Sequence, residues 1–468
     1  VTLRAYSFFI NYILYVVLMS FKHDQTPTCN HTITLDNLSD GDSFTYSAII
    51  CSGLIENAET CTSQISVFAT GEPQRGIETN TRDNSFKCIL QLNAGSNEFT
   101  FKYCSFSISV KLHYKRRKSS FTVLPLYIVC EGHDGRFQAP PGEVNSPESA
   151  CKRITAVCKL LQSVFGYKFA KVGMERRSYE MEVDCLTWHS KLNVENALSM
   201  TQVELWYHFA REIMSSGIGS DNRKYLAFLS CSVYNGEGYY EGMPYKEMLK
   251  LVKGYVAYGG DGLALLSTGC LYTWPETLDG VYGKLCKNTL VDKTKLMNYS
   301  NSRDTWGGCF IASLGAVLHE LCHTFDLGHS EAGIMGPNFG QIDDVFLAVA
   351  NEQRFCDYRC TDASQITPDY SGWSKSALFI IYYHKWFQNV DSSRQVSICY
   401  DSASNVVRSI VGIRVIEIRR KDDEMVLKAW VFGGKVLKFS FQIPVRAAGF
   451  DEDVILYAQD GCGNIFKR

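Results

Sequence analysis

The sequence carries almost no excess charge of either sign. Its 47 Lys and Arg side chains stand against 49 Asp and Glu, a formal net charge of −2 over 468 residues. That leaves no electrostatic footprint for nucleic acid or for an anionic membrane surface. Internal repeats and low-complexity stretches are also missing. A hydrophobic share of 46% and a charged share of 21% are those of an ordinary globular protein, which excludes collagen, coiled coil and wholesale disorder. Cys356 and Cys360 have no CxxC or His pair to complete a metal site, so a disulfide or two free thiols suits them better. What is abundant is cysteine itself, with 18 residues. That is high for a cytosolic enzyme, and an even count permits a disulfide framework without demonstrating one.

Residues 5–21 form an uncharged run after Arg4. It suits a signal-peptide core or an anchor, or is an artefact of the gene model, and no small-x-small cleavage site follows it. The run sets residues 1–26 apart and gives no firm membrane assignment. Sequons at Asn30, Asn37 and Asn298 do not decide the matter.

Residues 27–122 read as a β-rich domain, with strands expected over 49–52, 65–69, 87–92 and 98–110. The basic run Lys115, Arg116, Arg117, Lys118 reads as a solvated connection. Strands and helices then alternate through residues 123–365. A buried strand is expected over 123–130, and Ser146-Pro147-Glu148 opens a helix. Ala150, Ile154, Val157, Leu161 and Val164 make its packed face. Thr201 and Glu204 form a capping box before a helix over 203–214. Further strands are expected over 225–233 and 263–272. A polar linker (361–372) leads into a second β-rich domain, 366–468. Strands are expected there over 411–418 and 454–457, and Leu437, Phe439 and Phe441 alternate with polar residues. The fold class is therefore α+β.

The chemistry concentrates in residues 318–335, LHELCHTFDLGHSEAGIM. His319 and His323 stand four residues apart, so on a helix both imidazoles leave the same face within reach of one zinc ion. Glu320 between them is suited to take a proton from attacking water and return it to the leaving amine. Leu314, Val317, Leu318, Leu321 and Phe325 fall on the opposite side, while Ala312 and Ala316 share the histidine side and leave space there. Cys322 lies between the two faces and reads as a small packed thiol. A catalytic zinc site needs a third protein ligand and one open position. His329 supplies it if the helix ends before Gly328; Asp326 is then a turn residue or a partner orienting a histidine. If the helix continues, Asp326 itself lies beside the histidines and is the rival third ligand. His133, after a strand end, is a weaker candidate for a site role.

The pattern HExxHxxDxxH, followed by Gly333-Ile334-Met335, resembles the metzincin zinc signature and its methionine turn, with Asp326 where that clan has Gly. Together with LYTWP (271–275) and LYIVCEGHDGRFQ (126–138), it is similar to a poorly characterised eukaryotic family of zinc metallopeptidases. That family carries Asp at this position, and some fungal members append a jacalin-like domain. The resemblance spans roughly residues 90–400. It implies a metzincin-like domain with a twisted mixed sheet, Zn2+ as cofactor, a protein or peptide substrate, and Met335 supporting the site from below. The strand over 263–272 stands where that clan has its substrate-pairing edge strand, and an ordinary sheet strand fits it equally well. The family is not typically secreted, which tilts the cysteines toward intracellular free thiols. The reading from another class is a zinc-stabilised protein- or glycan-binding module with weak catalysis.

Overall fold

The computed structural model describes residues 30–57, 63–72, 74–337, 339–340, 342–348, 372–388, 398–433, 437–444 and 453–468. The apolar run 5–21, Cys356, Cys360 and linker residues 361–371 lie outside them. Among the described residues the architecture is mixed α+β and rich in strands, which form several sheets. No helix there is long and apolar enough to cross a membrane. Every described cysteine is a free thiol.

The N-terminal strands make a four-stranded and a five-stranded sheet that share one apolar core, including Ile33, Cys51, Phe86, Phe101 and Leu112. The strand expected over 98–110 is in fact a hairpin, Gly95–Tyr103 with Phe106–Tyr114. The chain reverses at Cys104, which takes a φ of 54° and so hides the turn from a reading that looks for Gly or Asn. The basic run is a connection with Lys115, Arg116 and Lys118 exposed, as expected, but its two arginines also hold partners. Arg116 bonds the Glu180 carboxylate and the Met181 carbonyl, and Arg117 donates to the carbonyls of Trp386 and Gln388.

The central sheet holds the strands that position the site, labelled β1 to β5 in chain order. They are β1 (Thr122–Glu131), β2 (Leu186–Asn193), β3 (Arg223–Leu229), β4 (Ala257–Gly260) and β5 (Leu263–Ser267). β2, β1, β3 and β5 run parallel, and β4 closes one edge antiparallel to β5. β1 is buried on both faces, as its unbroken apolar run requires: Val123, Tyr127 and Val129 face one core, and Leu124, Leu126 and Ile128 the other. The first core is covered by helices α1 (Pro147–Lys171) and α3 (Trp306–Thr324), the second by α2 (Gln202–Ser215). Ser146 caps α1 and Thr201 with Glu204 forms the expected capping box on α2.

The strand expected over 263–272 stops at Ser267 and continues as a short 3-10 turn, Leu271–Thr273. It is an interior strand; the sheet edge beside α3 is β4. The region after 366 is not uniformly β-rich either. Helix α4 (Lys375–Tyr383) precedes the last sheet, and its Phe379, Ile380 and Ile381 join the central core. That sheet is organised by the long strand β6 (Val406–Arg420), which pairs with Val426–Val431, Lys438–Gln442 and Val454–Asp460.

Candidate metal centre

Helix α3 begins at Thr305, whose hydroxyl accepts the Gly308 N–H at 3.1 Å, and ends at Thr324. It is buried nearly all round, so its histidines emerge only at the C-terminal turn. Of the two alanines expected to leave room beside them, Ala316 lines a cavity, whereas Ala312 packs against Gly340. Beyond the helix the chain turns at Asp326 with a φ of 63°. Asp tolerates this conformation better than most side chains, so the chain turns here without a glycine. Gly328 serves another purpose. A Cβ there would lie 2.5 Å from the Glu424 carbonyl, so glycine allows the chain to pass against residues of the last sheet.

This turn brings His319, His323 and His329 together, with one candidate ligand atom from each within 4.8 Å of the others. Every Nδ1 faces a backbone carbonyl: Ile334 at 2.6 Å for His319, Leu327 at 2.9 Å for His323, and Asp423 for His329. A carbonyl only accepts, so each Nδ1 donates, which leaves Nε2 as the ligand atom of the neutral ring. The Nε2 atoms of His319 and His323 stand 3.1 Å apart. With both protons committed elsewhere, that approach sets two lone pairs against each other, which a shared cation relieves. Burial pushes His319 down to about 4 and His323 down to about 3, so both rings are neutral at physiological pH. This gathering of three imidazoles, each with a carbonyl partner on its far nitrogen, suits Zn2+.

Glu320 faces β4. Burial raises its carboxyl to about 7, while the Gly259 backbone N–H favours the ionised form. Gly259 is required here because a Cβ would lie 2.1 Å from the Glu320 carbonyl oxygen. Alongside runs an apolar cavity of about 50 Å3, lined by Tyr255, Ala257, Leu271, Trp274, Ala316 and Val317. The 271–275 segment thus forms part of its wall, with Trp274 Nε1 donating to Ser313 Oγ at 2.8 Å.

Asp326 does not join the histidines. Its carboxylate accepts from His384 Nε2 at 3.3 Å, and its charge is also felt by buried Lys224. Desolvation lowers the His384 pKa, so a neutral imidazole donates to an ionised carboxylate; desolvation opposes that ionisation, but His384 and Lys224 together hold Asp326 below its usual range. Met335 is buried in the core. The hydrogen bond to His319 comes from its neighbour, the Ile334 carbonyl, while the Met335 carbonyl accepts the Ser330 N–H at 2.9 Å. Cys322 is a fully buried thiol whose pKa burial pushes well up. His133 is engaged locally, accepting from Gly135 N–H at 3.1 Å and lying 3.1 Å from Ser230 Oγ. Sequence reasoning missed Asp423 and Glu424, which hold His329, and Phe339, whose ring lies 5.3 Å from that of His319. No local pattern marks the first two, because they lie more than ninety residues downstream.

A mixed α+β chain that gathers such a histidine set is consistent with a metal-dependent peptidase. Residues 32–412 match the family described as "Putative peptidase family", and the chain belongs to it. The match begins at residue 32 and so takes in the N-terminal strands before residue 90, which the resemblance over 90–400 left out. The chain is similar to a "Putative zinc metalloproteinase" of Saccharomyces cerevisiae, at 22% identity over 292 residues, covering 56% of this chain and 42% of that protein. It is also similar to one of Schizosaccharomyces pombe, at 23% identity over 319 residues, covering 65% and 52% respectively. The chain therefore spans about half the length of the curated relatives it matches. A solved structure of S-layer protein SbsC domains 4 and 5 overlaps 18% of this chain and 44% of that one, at 14% identity and a TM-score of 0.15, too low to bear on the fold.

Proposed function

We infer that the chain is a zinc-dependent metallopeptidase with a metzincin-like site, built on residues 123–365. The observation that carries this reading is the set of three imidazoles whose Nδ1 atoms are all tied to carbonyls and whose candidate ligand atoms lie within 4.8 Å of one another, on the helix that carries Glu320 and the chain just beyond it. His319, His323 and His329 hold the zinc, which when bound supplies Lewis acidity toward the scissile carbonyl and toward water. Glu320 takes the proton of the attacking water on its carboxylate. A carboxyl poised near neutrality can then pass that proton to the leaving amine. Edge strand β4 offers its backbone to an extended peptide, and the neighbouring cavity accepts a small apolar side chain. Met335 closes the site from the core side.

A peptide library incubated with the wild type and with Glu320→Gln tests this directly. The wild type cleaves and the variant does not, while both bind zinc. Equal outcomes for the two proteins would leave a zinc-stabilised binding module as the better reading.

A further inference from the structure

His329 lies outside both the zinc helix and any strand, and the segment that carries it has little structure of its own. What holds it is the turn after β6, Lys421–Glu424 and the residues that flank it. The Glu424 carbonyl accepts the His329 N–H at 3.1 Å, and the Val426 N–H donates to the His329 carbonyl at 2.9 Å. With the Asp423 carbonyl on Nδ1, both the backbone and the ring of His329 are fixed by one hairpin. The hairpin is itself braced. Arg420 N–H donates to the Met425 carbonyl at 2.9 Å, and Asp423 Oδ1 accepts the Met425 N–H at 3.0 Å. The Glu424 carboxylate bridges Arg419 at 3.0 Å and Lys467 at 2.7 Å, tying the turn to the last strand. Fully buried Arg419 reaches the other end of the ligand segment, donating to the Asp326 carbonyl at 2.8 Å. Gly328 lets the two segments approach this closely.

We propose that the hairpin Arg419–Val426 of the C-terminal sheet is the positioning element for the third zinc ligand, so that zinc binding and the order of this hairpin are thermodynamically linked. The proposal rests on the zinc site inferred above and goes beyond it: residues past 412, outside the match to the family, complete the metal centre. Linkage is reciprocal, so a hairpin that holds His329 toward the metal is in turn held by the metal.

The test replaces Lys421–Glu424 with Asn-Gly, a turn that closes a hairpin without presenting the same carbonyls. Zinc affinity is measured by competition with a chelator in the full chain, and unfolding in EDTA reports whether the variant folds. The proposal expects about a 10- to 100-fold weaker zinc affinity, the range for losing an outer partner of a ligand, in a metal-free variant that still unfolds cooperatively. A folded variant with wild-type affinity overturns it. If the variant does not fold, amide exchange in the wild type decides: zinc slows exchange at His329 and Val426, and unchanged exchange at both overturns the proposal. A wild-type chain that binds no zinc overturns the zinc site itself, and this inference with it; wild-type binding with an indifferent hairpin overturns the inference alone.

Discussion

The two halves of the histidine site are built in different ways. His319 and His323 sit on one helix turn, and their Nδ1 partners, Ile334 and Leu327, are 15 and 4 residues away. His329 depends on a carbonyl 94 residues away, in another sheet. The first half follows from helix geometry, which places residues four apart on one face. The second exists only once the C-terminal sheet has packed against the turn at Asp326. One site therefore combines a local pair fixed by secondary structure with a distant histidine fixed by tertiary structure, and perturbations should separate the two.

The largest expected effect falls on the local half. Glu320→Gln removes the proton carrier and keeps the ligands, so peptide cleavage should fall at least 10²- to 10⁴-fold in steady-state assays with zinc content unchanged. A variant that retains activity would detach the chemistry from this helix.

Next is the acid response of the metal-free protein. His319 and His323 are held near 4 and 3, below the roughly 6.5 of an unfolded chain. As pH falls below about 6.5 the unfolded chain takes up protons first, so the stability these groups contribute is present above 6.5 and lost toward 4 and 3. Between pH 6.5 and 5 the loss is on the order of 2 kcal/mol for each ring. Urea unfolding in EDTA should show it, and His323→Leu should flatten it. A wild-type profile with no such slope would contradict the burial of these rings.

Asp326→Ala sharpens the division further. It leaves buried His384 without its acceptor and should cost about 1–3 kcal/mol in denaturant unfolding without reducing zinc content. Smallest is Thr201→Ala on α2, remote from both halves. Loss of the capping box should lower stability by about 1 kcal/mol and leave zinc affinity alone; a change in affinity would mean that the site is sensitive to the fold at large.

The same division decides what the sequence made legible. The alternation of strands and helices, the α1 and α2 caps and the His319–Glu320–His323 set all depend on residues within a few positions of one another. The turn at Asp326 was foreseeable for the same reason, since Asp tolerates a positive φ. What escaped depended on distant partners. The basic run is exposed as expected, but the partners of Arg116 and Arg117, Glu180 and the 386–388 carbonyls, lie far off in sequence. The edge of the central sheet is β4, not the more hydrophobic β5, because pairing order is not written in either segment alone. Asp423 and Glu424 act through backbone carbonyls, which any residue possesses, so no side-chain pattern could reveal them.

The most direct measurement is zinc stoichiometry, by elemental analysis after dialysis, in the wild type, His329→Ala and Asp326→Ala. The account predicts about one zinc per chain, as a three-histidine site requires, in the wild type and Asp326→Ala, and loss of that zinc in His329→Ala. Zinc retained by His329→Ala but lost from Asp326→Ala would contradict it.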